Sequence, residues 1–122
     1  MISEGGIDTE SILTSIKKLL GIPEEYTQFD GDLILHINSV FTILHQLGVG
    51  PSEGIRITDK SDLWSDYFDE VATWSLVQSY VHLKVKMMFD PYPSSVTMEA
   101  SKELIREFES RLLLVAELSS TD

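Results

Sequence analysis

Cysteine is absent from this chain, which excludes disulfides, thiolate metal sites and cysteine nucleophiles. Basic residues are scarce. Nine Lys and Arg stand against twenty Asp and Glu, a formal net charge of −11 that repels phosphate backbones and argues against adhesive nucleic-acid binding. Long apolar runs are missing too: the most hydrophobic stretch, residues 71–89, is interrupted by Gln78, His82, Lys84 and Lys86 and does not read as a membrane span. The opening MISEGGIDTE has neither the basic start nor the apolar run of a signal peptide, so the expected setting is soluble and intracellular.

Signatures of chemistry are equally lacking. There is no Gly-x-Ser-x-Gly, and Gly48-Val49-Gly50-Pro51 has neither the lysine nor the following helix of a phosphate-cradling loop, so it reads as a turn. The acidic cluster Asp59, Asp62, Asp66, Asp69 and Glu70 lacks the spacing of a calcium loop and reads as a solvated loop. His36 and His45 lie about 180° apart around one helix and cannot share an ion, and His82 falls in a polar stripe. None of the three has a Glu three residues before it, so the Glu-x-x-His pattern of bundle di-metal sites is missing. No catalytic residue, metal ligand or cofactor site is assigned.

What remains is a chain of 122 residues, 43% hydrophobic, the size of one domain. Residues 1–10 are polar and aperiodic and are expected to be a flexible leader, and 119–122 a short tail. Between them the apolar spacing predicts four helices, an all-α bundle. The first carries Ile12, Leu13, Ile16, Leu19 and Leu20 on one stripe, with Thr9 or Ser11 as N-cap and Gly21 as terminator. A second is expected from an Asp30 cap to Leu47, with Leu33, Ile34, Ile37, Val40, Phe41, Leu44 and Leu47 on its packed side and Asn38, Ser39, Thr42 and Gln46 on its wet side. The third, about 70–89, is apolar on two flanks and should be central: Ala72, Leu76, Leu83 and Met87 form one, and Trp74, Val77, Val81, Val85 and Met88 the other. Pro91 ends it, and Ser94 or Ser95 caps a fourth helix, with Met98, Leu104, Ile105, Phe108 and Leu112 on one face.

Two stretches do not fit a self-contained bundle. Residues 48–69 form a connection long enough to suggest function, with a short β-ribbon expected around Ile55-Arg56-Ile57-Thr58 and a helical turn near 63–68. A lone ribbon is marginal in water, so Ile55, Arg56, Ile57, Asp59, Asp62, Trp64 and Asp66 are candidates for contact with another subunit. At the end of the fourth helix, Leu112-Leu113-Leu114-Val115-Ala116 is apolar all round, which marks Leu112, Leu113, Leu114 and Leu118 as a candidate partner surface.

The opening ILTSIKKLLGI, the second helix FDGDLILHINSVFTILHQLGVGP, and YVHLKVKMMFD with its Pro91-Tyr92-Pro93 corner resemble the small head-tail connector (adaptor) proteins of tailed bacteriophages or prophages. That resemblance implies a structural virion subunit without enzymatic activity. Copies would form a ring, a dodecamer in the virion, beneath the portal protein and meet a head-completion or tail protein below. DNA would pass through without sequence-specific recognition, the leucines would dock on portal, and the 48–69 loop would make subunit or channel contacts. It places the protein at the virion head-tail junction, and in the host cytoplasm during assembly. The alternative from the residues alone is a small acidic helical protein-binding or regulatory domain of a bacterium.

Overall fold

The computed structural model describes residues 10–120, with side chains to 118. The expected leader, apart from Glu10, and the last two residues lie outside the described residues. Four α-helices follow in order: α1 (Ile12–Leu20), α2 (Asp30–Gln46), α3 (Val71–Phe89) and α4 (Ser95–Ser120), with one 3-10 turn at Trp64–Asp66. The all-α bundle is thus as expected. α4 continues through positions 119 and 120, which had been read as tail.

Ser11 caps α1: its backbone is extended and its Oγ accepts from the Thr14 N–H at 3.1 Å. Gly21 closes the helix in the left-handed region at φ 81°, which glycine alone enters without steric cost. Ile12, Leu13 and Ile16 face the core, whereas Leu19 at the edge of the stripe is exposed. The same helix buries a charge. Lys17 donates from Nζ to the Glu24 carbonyl at 2.9 Å and to the Tyr26 carbonyl at 2.8 Å, and lies 2.8 Å from Asp30 Oδ1. Two ammonium protons are taken by carbonyls and the charge is balanced by the close Asp30 carboxylate, an ion pair whose geometry is not that of a hydrogen bond, since Asp30 Oδ1 accepts none; pairing of this kind is the condition for burying a lysine. This use of Asp30 also corrects the expected cap. Phe29 occupies the N-cap position without a side-chain bond, and Asp30 sits in the first turn with its carboxylate turned to Lys17.

On α2, Leu33, Ile37, Val40, Phe41 and Leu44 are buried and Ile34 and Leu47 pack at their margin. Asn38, expected to be wet, is half-buried and carries the loop. Its Oδ1 accepts from the Ile57 N–H at 2.8 Å and its Nδ2 donates to the Ile57 carbonyl at 3.0 Å. This replaces the expected β-ribbon. Ile57 points in and Arg56 and Thr58 point out, so the strand-like alternation is real, but a carboxamide supplies the hydrogen bonds that a neighbouring strand would make. Among the described residues the β-pairing is a single antiparallel bridge, Ser11 with Leu63.

Immediately after that bridge Trp64 enters the core. It is fully buried, its Nε1–H donates to Ser15 Oγ at 2.9 Å, and Ser15 Oγ in turn donates to the Ile12 carbonyl. The indole stacks on Trp74 with centroids 5.8 Å apart and 8° between planes, and meets Phe41 edge-on at 6.1 Å. One side chain of the loop thereby joins α1, α2 and α3.

α3 packs against each of the other helices, which makes it central as its two apolar flanks suggest. Trp74, Val77, Tyr80, Val81, Leu83 and Val85 are buried, while Ala72 and Met88, near its two ends, are exposed. It stops at Phe89. Asp90 leaves the helical region before Pro91, and Lys86 bonds the Asp90 carboxylate at 2.9 Å and lies over the Tyr92 ring. Ser94 Oγ accepts from the Thr97 N–H at 3.4 Å to open α4. That helix packs chiefly along α3 through Ser101, Ile105 and Leu112, and Tyr80 donates to Glu109 Oε2 at 2.7 Å between them. Leu104, assigned to the same face, is 42% exposed because it sits at the rim of the stripe.

Replacing Lys17 by Ala should strip two carbonyls of their donor and the Asp30 carboxylate of its counter-charge, and cost about 3 kcal/mol in urea unfolding. A loss under about 0.5 kcal/mol, the level of an exposed pair, would contradict the buried role given to this side chain.

Candidate docking surfaces

Residues 48–69 hold themselves together by capping their own turns. Asp62 Oδ2 accepts from the Thr58 N–H at 2.7 Å and from the Asp59 N–H at 3.3 Å. Asp59 Oδ1 accepts from both the N–H and the hydroxyl of Ser61, and these bonds hold its carboxyl below the usual aspartate range. Asp66 Oδ2 accepts from the Leu63 N–H at 2.9 Å. Three members of the acidic cluster are therefore turn-forming groups rather than loose solvated charges. Asp69 and Glu70 differ: both are exposed, and neither side chain has a hydrogen-bond or ion-pair partner among the described residues.

The expected contact residues divide accordingly. Ile57 and Trp64 are consumed by the chain's own core, Ile55 is half-buried, and Asp62 is turned into the loop. Arg56, Asp59 and Asp66 remain at the surface. At the end of α4 the same sorting applies. Leu112 is completely enclosed, which corrects its place in a partner surface, whereas Leu113, Leu114 and Leu118 are 42%, 56% and 63% exposed. They are exposed because at about 100° per residue they turn away from the packed side of α4, on which the adjacent Leu112 lies enclosed. Along the outer face of α4, Glu103 with Arg106 and Glu107 with Arg111 form ion pairs at 2.7 Å, exposed and worth only a few tenths of a kcal/mol each.

Sequence reasoning missed a groove at this end of the bundle. Gly48, Val49, Gly50 and Pro51 after α2, Tyr67 to Glu70 before α3, and Val115 and Ala116 on α4 surround a depression of about 650 Å³. A smaller one of about 240 Å³ shares Gly48 and Ala116 and reaches Leu113. Gly48 is left-handed at φ 87°, and a Cβ built on it would lie 3.5 Å from the Ala116 Cβ, so small residues keep the groove open. The corner is electronegative: the Tyr67 phenol is pushed up by burial, and then by Asp62 and Asp66. The Gly-x-Gly-Pro run was the one available signal, and turn chemistry already explained it.

The histidines stay apart. His45 bonds the Ser52 carbonyl at 2.9 Å, His36 is half-buried on α2, and His82 on α3 faces α1. Among the described residues no three His, Asp or Glu side chains converge to hold a metal ion, and no helix is long and apolar enough to cross a membrane. His82 is held below the usual histidine range by burial and then by Lys86, against a bond to the Leu19 backbone that acts the other way. A lowered folded-state value means that acid protonates the unfolded chain first, so this residue's contribution is present above about pH 6.5 and is lost as pH falls. His82→Gln should therefore lose less stability than the parent between about pH 7 and about pH 5 in urea titrations, and an equal or larger loss would contradict this.

No curated protein and no solved structure matches the chain. A family model, that of the phage connector proteins, matches residues 12–119, from the first residue of α1 to the last turn of α4. That span contains every element of the bundle, the capped loop and the exposed leucines, and so the chain belongs to the phage connector protein family, a family of structural phage components.

Proposed function

We propose that this chain is a head-tail connector (adaptor) subunit of a tailed phage or prophage, acting structurally and without catalysis. Copies form a ring beneath the portal protein, a dodecamer in the virion, extending the DNA channel and joining capsid to a head-completion or tail protein. The subunit resides at the head-tail junction of the virion and is assembled in the host cytoplasm. The observation that carries this reading is the end of α4. A family member that completes its core with Leu112 still presents Leu113, Leu114 and Leu118 to solvent, and clustered exposed leucines are the usual mark of a protein partner.

In a ring each subunit needs two unlike side faces, and the firmly capped 48–69 loop with its surface Arg56, Asp59 and Asp66 supplies one rigid candidate. The net charge of −11 suits a wall past which duplex DNA slides without adhering. Portal docking is assigned to the leucines, and channel or subunit contact to the loop.

The test uses substitution rather than truncation, because cutting after Arg111 would remove Leu112 from the core. Leu113→Glu with Leu114→Glu should leave the unfolding free energy in urea within about 0.5 kcal/mol of the parent, since both sites are exposed, and abolish cosedimentation with the cognate portal protein. Retained cosedimentation by a folded double variant removes the docking assignment.

A further inference from the structure

We infer that the groove between Gly48 and Ala116 is a separate docking site, and that it takes an apolar side chain from a basic partner segment whose Lys or Arg reaches Asp69 and Glu70. Its floor is made by residues too small to fill it. Gly48 and Gly50 are both left-handed, at φ 87° and 93°; Ala116 of α4 stands against Gly48, and Phe68 stands against Gly50. A Cβ on Gly48 would touch the Ala116 Cβ at 3.5 Å, so anything larger at either of these two positions would crowd that side of the depression. The depression of about 650 Å³ is wide enough for one large side chain, the size of anchor that dominates protein interfaces.

The rim decides what kind of segment brings that anchor. No Lys, Arg or His lines the groove, whereas Asp69 and Glu70 do, and neither carboxylate has an internal partner. A second copy of this chain, at −11, would bring predominantly like charge to that rim. A basic segment gains there and an acidic one loses, and this discrimination sets partner choice and association rate. None of Leu113, Leu114 and Leu118 lines it, although the smaller depression beside it reaches Leu113.

The test titrates the full chain with a synthetic amphipathic Leu/Lys helical peptide and with its Leu/Glu counterpart, reading backbone amide shifts by NMR. The Leu/Lys peptide should shift Gly48, Gly50, Thr73 and Ala116 saturably, and Asp69→Lys with Glu70→Lys should weaken binding at least about tenfold. Ala116→Phe, which fills the groove, should weaken it similarly. If that variant misfolds, the exposed double charge reversal decides alone. Equal binding of the Leu/Glu peptide, shifts spread along the acidic outer face of α4, binding unchanged by charge reversal, or dilution-dependent shifts of the groove amides without peptide would each overturn the inference. The last outcome would make the occupant a second copy.

Discussion

Trp64 is the side chain on which the remainder of the bundle depends. It arrives on a connection, yet it is enclosed by α1 through Ser15, by α2 through Phe41 and by α3 through Trp74. Without it three helices would face a hole of indole size, and a short α1 has too little apolar surface to hold them alone. The loop is consequently part of the core. That explains its capping by Asp59, Asp62 and Asp66 and the Asn38 clasp on Ile57: a segment that inserts a tryptophan must bring its backbone to one conformation, and local carboxylates and a carboxamide satisfy that backbone where no sheet is present.

The opposite condition holds at the end of α4. This helix packs chiefly on α3, and near Leu112 its outward side carries apolar side chains that no other described element covers. The aromatic cluster and the open groove adjoin each other: Phe68 packs on Trp64 at 6.3 Å and also lines the groove beside Gly48 and Ala116.

Periodicity made the helices legible. The Ser11 cap, the Gly21 terminator, the stop before Pro91 and the central position of α3 follow from local rules that tertiary contacts did not override. The misreadings share a cause. Asn38 and Ile57 are nineteen residues apart, so their contact leaves no local trace and Asn38 looks like a wet position on a helix; the burial of Lys17, whose acceptors lie seven to thirteen residues on, is equally invisible to local pattern. Leu19 and Leu104 sit at the borders of their stripes, where the wheel cannot say how wide the partner is. Leu112 falls on the packed stripe by its spacing and also opens the apolar run read as a partner surface; its enclosure decides for the stripe. The groove was illegible for a stronger reason: it is built from the ends of three helices, and what defines it is the absence of side chains.

The central claim is that Trp64 and Leu112 belong to a self-sufficient fold while Leu113 and Leu114 are left for another molecule. Hydroxyl-radical footprinting of the isolated subunit and of assembled virions reads this directly, side chain by side chain. The account predicts that Trp64 and Leu112 are protected in both states and that Leu113 and Leu114 react in the isolated chain and become protected on assembly. Leucines that react equally in both, or a Trp64 that is protected only after assembly, would contradict it.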